Sequence, residues 1–516
     1  MAIKISKKTN DLIKRDKKVM FTTTREHFPF VAARGNGDYA WDMDGNRFID
    51  FTTFIGVYSL GVNANGEIRR AVKDQVDKLM HPAFLDFYSE LPVKFAENLV
   101  GMMPKGFGRV FLSNSGTEAN EDAIKLARLF TRKSYIIGFY GGFHGRSMGS
   151  LGITATRTAN REHFGPFPNI VHSIYPNQYR YDGSPEECAM ECIDHLERNI
   201  LKKEYSSKEV AAIFVEPIQG EGGYIVPPKL FMKELRRVCD DNHILLVSDE
   251  VQSGYMKTGK FLAMDNFGVT ADIYSMAKAL GSGLPIGATI AKTSLGDTPP
   301  GAHAGTFGGN LLSMAAAQAS LNYVKRNRKS LERQVREKNR YMMKRLRQLR
   351  DRYEIVGDVR GIGMMPAAEF VKSKKTKEPA VKERDKIAEH AFYNGLLLLP
   401  CGDSTIRLIP PITISKHGEW GFTKNIALEL APHKIWVNAI APGGILTPGV
   451  QKLQAETPAF EGEDMTKVLT DFLARIPMGR MGEPDDIGMV ALFLASGMSS
   501  YMTGTQIVVD GGVLLK

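Results

Sequence analysis

Short apolar runs alternate with longer helix-like segments from about residue 66 to residue 300. The clearest runs are residues 109–112, 135–139, 211–215 and 244–247. Each run has the length of a buried strand, and the segments between them have the apolar periodicity of amphipathic helices. This strand–helix alternation predicts an α/β layer with a mostly parallel sheet.

Two other regions frame this layer. Residues 38–42 and 47–51 flank an Asp44-Gly45-Asn46 turn, which predicts short paired strands. Residues 311–352 form one long helical pattern, and further strands and helices continue to Pro410-Pro411, where the pattern breaks. With 516 residues, the chain is long enough for two or three domains.

The composition is that of an ordinary globular protein, with 43% hydrophobic and 24% charged residues. No apolar run approaches the ~18 residues that a membrane span requires, and the N-terminal residues match neither a secretory signal nor a transit peptide. Four scattered cysteines exclude a disulfide scaffold and indicate reduced thiols, and no metal-site pattern accompanies them. We therefore expect a cytoplasmic protein without a metal or a membrane partner.

The net charge of +10 comes largely from residues 14–18 and from the helical pattern between Lys325 and Arg352, where acidic residues are interspersed. A solvated helix face accounts for this charge better than a nucleic-acid surface, because no aromatic residues or binding motif accompany it. Local positive charge is better explained by the binding of small anionic substrates than by the binding of a nucleic acid.

Lys278 is the first candidate for chemistry. It follows the strand-like residues 272–274 and precedes the glycine-rich turn 281–287. A lysine at this place is positioned to form a Schiff base with an aldehyde cofactor. The same residues also fit an ordinary helix end, so the interpretation depends on the segments that surround them.

Two of these segments follow strands in the α/β layer. Residues 111–118 combine a strand, a tight turn and a helix start, which makes either a phosphate seat or a plain capped helix. In residues 139–146, Phe143 could lie flat on a heteroaromatic ring, and His144 alone fits a structural histidine. Arg146 could bind a substrate carboxylate or pair with a local acid.

Three charged residues complete the candidate site. Asp249 lies at the end of the strand-like run that begins near residue 245. Ligands of open α/β sheets bind beyond the carboxyl ends of such strands. A carboxylate there could keep a pyridine nitrogen protonated. Arg407 lies inside an apolar strand and needs either a bound carboxylate or an internal acid such as Glu216.

Taken in order, these motifs resemble the class III pyridoxal-phosphate aminotransferases of fold type I over about residues 25–415. The resemblance implies a large domain with a mostly parallel sheet (56–310) and a small α+β domain, to which residues 1–55 and 311–415 belong. It also implies that Lys278 is the Schiff-base lysine and proton shuttle and that Asp249 pairs with the pyridine nitrogen. The other implied cofactor contacts are Ser115, Gly116, Thr117, Phe143, His144, Gln252 and, from the second subunit of a homodimer, Thr306.

The same resemblance implies the substrates, an amino acid and a 2-oxo acid. Arg407 would bind the α-carboxylate of glutamate, Glu216 would pair with Arg407 or release it, and Arg146 would bind the distal carboxylate. The implied reaction is ping-pong amino transfer between an ω-amino acid, 4-aminobutyrate-like or ornithine-like, and 2-oxoglutarate.

Substrate choice stays open. Ile55 favours the 4-aminobutyrate type, because ornithine-type members have an aromatic residue there, whereas Arg146 matches 4-aminobutyrate, ornithine and acetylornithine members alike. Amino-acid racemases and decarboxylases share the scaffold. Residues 61–65 also depart from the Gly-His-x-His-Pro turn that many members have near the dimer interface.

From about residue 416 the chain resembles the C-terminal part of a short-chain dehydrogenase, in segments 435–443, 479–487 and 503–512. Lys416 could be the lysine of that family's Tyr-x-x-x-Lys, but Ile412 stands where the tyrosine should be, and no glycine-rich dinucleotide turn precedes it. Pro442, Gly443 and Thr447 would touch a nicotinamide cofactor in an intact member. We therefore expect an incomplete Rossmann-like fragment over 416–516 without dehydrogenase activity.

The join has structural consequences. Both families have Ser-Lys at residues 415–416, so a crossover there is our hypothesis. Phe422, Ile426 and Leu430 share a helical face that could replace the terminal helix of an aminotransferase. The strand 506–510 would have lost its sheet neighbours and would invite association. A catalytically impaired fusion is thus an alternative to a transaminase or a racemase.

Overall fold

The computed structural model describes residues 3–24, 28–414, 436, 438–447, 473–474 and 476–513. The chain divides into two compact units, residues 1–414 and 415–516. The α-helices of six or more residues that the structure describes in the first unit are α1 (Lys7–Val19), α2 (Gly66–Val76), α3 (Glu90–Val100), α4 (Gly116–Thr131), α5 (Met148–Ile153), α6 (Pro185–Asp194), α7 (Lys229–Asp241), α8 (Leu311–Arg352) and α9 (Val381–Tyr393). Its strands are β1 (Ala32–Asn36), β2 (Tyr39–Asp42), β3 (Arg47–Asp50), β4 (Phe107–Ser113), β5 (Tyr135–Phe139), β6 (Ile170–Ser173), β7 (Val210–Val215), β8 (Leu245–Asp249), β9 (Ile273–Ala277), β10 (Gly287–Lys292), β11 (Val356–Arg360), β12 (Ala367–Phe370), β13 (Leu396–Leu397), β14 (Leu399–Cys401) and β15 (Thr405–Arg407).

A seven-stranded sheet forms the centre of the first unit, in the order β4-β10-β9-β8-β7-β5-β6. Strands β9, β8, β7, β5 and β6 run parallel to one another, and β10 is antiparallel to both of its neighbours. The predicted α/β layer with a mostly parallel sheet is therefore confirmed. The parallel strands bring their carboxyl ends to one edge, which is where such sheets bind ligands.

Helix α4 covers one face of this sheet. Its Ala123 and Ala127 are fully buried against strand residues that include Ile136, Phe214 and Val247. Small side chains on this helix face allow its backbone to approach the sheet closely. This packing fixes the N-terminal end of α4, where the candidate phosphate seat lies.

Two four-stranded sheets lie outside the central one, in the orders β1-β2-β3-β13 and β11-β12-β15-β14. Strand β13 pairs in parallel with β3, so that Leu396 lies opposite Ile49. Residues from the beginning and the end of the first unit therefore share one sheet. The second small sheet contains Arg407 at the end of β15.

The long helix and the unusual turn are both capped by asparagine. Asn310 accepts a hydrogen bond from the Ser313 N–H and starts α8, whose bounds agree with the predicted residues 311–352. In the turn at residues 61–65, Asn65 accepts from two N–H groups of α2 and Val62 bridges to Gly37. The chain thus replaces the family's turn with an ordinary asparagine cap.

The second unit contains β16 (Ala439–Pro442), β17 (Gln506–Val509) and α10 (Pro484–Ala495). Strand β17 pairs in parallel with β16, so the prediction that this strand has lost its sheet neighbours was wrong on that side. Glu483 and Asp486 form a reciprocal capping box at the start of α10. Lys416, Phe422, Ile426 and Leu430 lie outside the described residues.

Within the described ranges, no helix combines the length and apolarity of a membrane span. The same residues contain no group of three histidine, cysteine or carboxylate side chains that could hold a metal ion. All four cysteines are buried free thiols.

Candidate active site

A pocket of about 520 Å³ lies at the carboxyl ends of the parallel strands. The chain leaves β5 toward Phe143, β7 toward Glu216 and Glu221, and β9 directly into Lys278, while Asp249 ends β8. Ten of the thirteen predicted site residues line this pocket: Ser115, Gly116, Thr117, Phe143, His144, Arg146, Glu216, Asp249, Gln252 and Lys278.

Lys278 occupies a constrained position directly after β9. Its φ of 46° lies in the left-handed region, where non-glycine residues are strained. Burial lowers the pKa of its amine below the ordinary lysine value, and the charges of Asp249 and Glu221 oppose part of this effect. The pocket therefore favours a neutral amine more than water does.

The Asp249 carboxylate is held by three hydrogen bonds. Asn120 Nδ2 donates to Oδ2 at 2.8 Å, His144 Nδ1 lies 2.8 Å from the same oxygen, and the Val251 N–H donates to Oδ1 at 3.0 Å. Burial lowers the pKa of His144, but the hydrogen bond and charge of Asp249 outweigh burial and raise it. His144 is therefore not an isolated structural histidine, because its charge state depends on Asp249.

Asn120 is a residue that the sequence analysis missed. Its side chain is buried in α4, donates to the His144 carbonyl at 2.7 Å, and accepts from the Ser275 hydroxyl at 2.6 Å. It links α4 to β9 and orients Asp249. The available signal was its position about one turn inside the helix that begins at the phosphate seat.

The start of α4 presents N–H groups to the pocket. Ser115 accepts from the Glu118 N–H at 3.2 Å, as predicted, but Glu118 accepts from Asn114 rather than completing a capping box with Ser115. A Cβ on Gly116 would lie 2.6 Å from Val251 Cγ1, so glycine is required for this close approach. The Thr117 hydroxyl lies 2.7 Å from Ser147 Oγ and 2.5 Å from Ser150 Oγ.

Arg407 pairs with Glu221, not with Glu216, so the predicted partner was wrong. Arg407 is buried and does not line the pocket, whereas Glu221 lies between it and the cavity. Burial raises the pKa of Glu221, but the Arg407 charge and hydrogen bond outweigh burial and lower it.

Glu216 is instead held by backbone donors. Its carboxylate accepts from the Phe143 N–H at 2.8 Å and from the Gly220 N–H at 2.9 Å. Burial raises its pKa to about 7, and the neighbouring His144 charge opposes this rise. Glu216 therefore positions the Phe143 segment rather than neutralising Arg407.

Three further predicted residues stand at the edge of the site or outside it. The Arg146 guanidinium lies 5.7 Å from the centre of the Phe143 ring, close enough for a cation–π contact. Ile55 is 45% exposed and does not line the pocket. Thr306 lies in an exposed segment and does not line it either.

A strained turn beside the pocket was not anticipated. Thr53, Phe54, Ile55 and Gly56 all have φ between 45° and 79°, and each non-glycine residue there costs roughly 1–2 kcal/mol. Asp50 holds the turn by accepting from the Thr52 N–H, the Thr52 hydroxyl and the Thr53 N–H. A Cβ on Gly56 would lie 3.8 Å from Gln252 and 4.0 Å from Lys278, so the turn closes one wall of the site.

Asp50 is also the acid whose charge acts on Lys257. Both side chains are buried, and among the described residues neither Asp50 Oδ2 nor Lys257 Nζ has a hydrogen-bond partner. Burial lowers the pKa of Lys257 to about 7 and raises that of Asp50.

The pocket residues fit pyridoxal phosphate. Gln252 lines the pocket, and its buried Oε1 has no hydrogen-bond partner in the described part of the chain, so its amide is uncommitted and suits a ring hydroxyl. The helix start at Gly116 suits a phosphate, the oriented Asp249 carboxylate suits a pyridine N–H, and the Lys278 amine suits an aldehyde. None of these cofactor contacts requires a metal ion.

Comparison with known families agrees with these features. The model of the family "Aminotransferase class-III" matches residues 20–428. The model "Enoyl-(Acyl carrier protein) reductase" matches residues 405–514, so the resemblance of the tail to a reductase is confirmed. The two matches overlap over residues 405–428, which include the Ser415-Lys416 join.

Curated relatives include both racemases and aminotransferases. The leucine/methionine racemase of Thermococcus litoralis is 34% identical over 410 residues, covering 79% of this chain and 92% of that protein. The 5-aminovalerate aminotransferase of Pseudomonas aeruginosa is 35% identical over 415 residues, covering 80% of this chain and 95% of that protein.

Solved structures confirm the fold type I prediction. An (S)-enantioselective ω-transaminase from Thermomicrobium roseum has a TM-score of 0.75 and 28% identity, covering 82% of this chain and 98% of its own. A pyridoxal-phosphate-bound amine transaminase from an uncultivated Pseudomonas species has a TM-score of 0.74 and 29% identity, covering 80% and 98%. This chain therefore belongs to the class III aminotransferases, a family of pyridoxal-phosphate enzymes, and continues into a reductase-like C-terminal segment.

Proposed function

We propose that this protein is a transaminase that moves an amino group between an ω-amino acid, 4-aminobutyrate-like or ornithine-like, and 2-oxoglutarate. The observation that carries the proposal is the Arg407–Glu221 pair at the pocket wall. A buried arginine that is neutralised by an acid at the pocket wall suits a site that takes one substrate with an α-carboxylate and another without it. The 5-aminovalerate and 4-aminobutyrate aminotransferases among its relatives support this substrate class.

Lys278 is the proton carrier in this proposal. When bound, pyridoxal phosphate supplies an aldehyde carbon for imine formation and an electron-withdrawing ring. Lys278 Nζ would move a proton between the substrate carbon that bears the nitrogen and the carbon that the cofactor aldehyde supplies, in opposite directions in the two half-reactions. The lowered pKa of Lys278 increases the neutral fraction of the amine that can accept this proton.

The other residues orient the reactants. Asp249, fixed by Asn120 and His144, would accept the ring N–H, and the start of α4 at Ser115, Gly116 and Thr117 would bind the phosphate. Arg146 binds the distal carboxylate of a dicarboxylic substrate. We further propose a homodimer in which Thr306 reaches the phosphate of the partner's site, since Thr306 lies exposed and apart from the pocket of its own chain.

The test is an absorbance spectrum of the full chain with pyridoxal phosphate, before and after addition of 4-aminobutyrate alone. We expect loss of the yellow absorbance, its return on addition of 2-oxoglutarate, and neither change in Lys278→Ala. Lys292→Ala is the matched control, because Lys292 pairs with Asp272 outside the pocket. A yellow protein that responds to neither 4-aminobutyrate nor ornithine would refute the proposed substrate class.

Racemisation is the second candidate, since the alanine/serine racemase of Pyrococcus horikoshii is also 34% identical to this chain over 420 residues. A racemase would form a D-amino acid from an L-amino acid with no 2-oxo acid present, which chiral chromatography detects. An impaired fusion would bind the cofactor without turnover in either assay. Oxidation of a reduced nicotinamide cofactor is not expected, because Ile412 occupies the tyrosine position.

A further inference from the structure

Arg360, at the end of β11, uses its whole guanidinium group in buried contacts. Its side chain is 12% exposed, and Nη1 lies 2.8 Å from Asp358 Oδ2 and 2.6 Å from Glu369 Oε2. Nε and Nη2 both donate to the Gly223 carbonyl, at 2.9 and 2.7 Å, and Nη2 also donates to the Thr405 hydroxyl at 3.2 Å. The two acidic partners fix the guanidinium, and its remaining donors fix two other segments.

Those two segments carry the two halves of the Arg407–Glu221 pair. Gly223 lies two residues after Glu221 in the same loop, and Thr405 lies two residues before Arg407 in β15. A Cβ on Gly223 would lie 3.1 Å from Arg360 Nη2, so the loop backbone packs directly against the guanidinium. The Glu221 carbonyl also accepts from the Gly402 N–H at 2.8 Å.

We propose that Arg360 is a positioning residue that holds Glu221 against Arg407 and thereby sets the preference of the site between substrates with and without an α-carboxylate. This inference rests on the proposed function. Glu221 must leave Arg407 before an α-carboxylate can bind, and it must stay when the substrate offers no carboxylate there. With the backbone of its loop anchored at Gly223, Glu221 can move only by side-chain rotation.

Arg360→Lys tests this role because lysine keeps the positive charge near Asp358 and Glu369 but cannot make the forked contact to Gly223. The freed loop should release Arg407 more easily. We expect kcat/KM for 4-aminobutyrate to fall about tenfold, since Arg407 is then left unpaired beside this substrate, while KM for L-glutamate stays unchanged or falls. Thr405→Val removes only the hydroxyl that accepts from Arg360. It should lower kcat/KM for 4-aminobutyrate relative to that for L-glutamate, by less than Arg360→Lys does.

A binding measurement separates this inference from the proposed function. Glutarate offers two carboxylates and butyrate one, and neither has an amine to transfer. Calorimetry on the cofactor-loaded full chain should show that Arg360→Lys lowers the Kd for glutarate relative to that for butyrate, by about three- to tenfold. This result does not require turnover, so it decides the role of Arg360 even if 4-aminobutyrate and ornithine prove not to be substrates.

Arg236→Lys is the matched control, because Arg236 is also a largely buried arginine that pairs with carboxylates, but on α7 and away from the pocket. Arg236→Lys should leave unchanged both the ratio of kcat/KM for 4-aminobutyrate to that for L-glutamate and the ratio of Kd for glutarate to that for butyrate. Equal losses for 4-aminobutyrate and L-glutamate in Arg360→Lys, or an unchanged glutarate-to-butyrate ratio, would overturn the inference and leave Arg360 a general structural residue.

Discussion

Lys257 provides the sharpest test of the energetics of this fold. Its side chain is fully buried, and within the described residues its amine has no hydrogen-bond partner. Burial lowers the pKa of this lysine from 10.5 to about 7. In the folded protein the amine is therefore either neutral or a charge that water does not fully solvate. In the unfolded chain the charged amine is fully solvated. This difference opposes folding.

The size of this opposition depends on pH. A base whose pKa falls on folding weakens the folded state most at low pH, and stability is regained as pH rises toward the unfolded pKa. Because each pKa unit corresponds to about 1.4 kcal/mol, the cost is about 4 kcal/mol at pH 7 and about 2 kcal/mol at pH 9. Lys257→Met keeps the apolar stem and removes the amine. Since Asp50 then loses a favourable charge, we expect a net stabilisation of about 2 kcal/mol at pH 7 and less at pH 9.

The assay is urea unfolding of the cofactor-loaded protein at pH 7 and pH 9, followed by tryptophan fluorescence. Lys260→Met is the control, because Lys260 is exposed three positions away and its removal should not raise the midpoint. A loss of stability of about 1 kcal/mol or more in Lys257→Met at pH 7 would refute the reasoning, since it would mean that the amine and Asp50 form a net favourable pair.

Three other predictions address the site and the tail. Asn120→Ala should raise the Kd for pyridoxal phosphate about tenfold, because it removes hydrogen bonds to Asp249 and Ser275; an unchanged Kd in a fluorescence titration would show that Asp249 is held without it. Burial raises the pKa of Glu216 to about 7 in the cofactor-free protein, so the pH profile of the 4-aminobutyrate half-reaction should contain an ionisation above the ordinary carboxylate range that Glu216→Gln abolishes; a profile that keeps this ionisation assigns it to another group. A chain that ends at residue 416 should scatter less light than the full chain at equal concentration, because β17 is then absent; equal scattering would count against an association-prone tail.

Much of the central sheet could be predicted because its strands are continuous apolar runs between polar segments. The prediction for 135–139 agrees with β5 at both ends, and the prediction for 211–215 differs from β7 by one residue. Parallel strands bring their carboxyl ends together, so Lys278 and Asp249 could be assigned to one site from their positions alone.

Pairings within loops could not be predicted in this way. Glu216 and Glu221 lie five residues apart in one glycine-rich loop, and only its folded path decides which acid reaches Arg407. The burial of Lys257 was missed for a related reason, since no periodic pattern surrounds it. Thr306 lies apart from the pocket of its own chain, and its predicted role depends on a second subunit.

The carboxylates clustered around Asp249 link cofactor binding to the stability of the folded protein. Burial raises the pKa of both Glu216 and Glu250 to about 7, and the charge of Asp249 adds a smaller contribution in the same direction. A cation that settles beside Asp249 relieves this repulsion, so a protonated pyridine ring acts as a counter-ion for the folded state. Resistance to heat and to proteases should therefore rise with cofactor concentration.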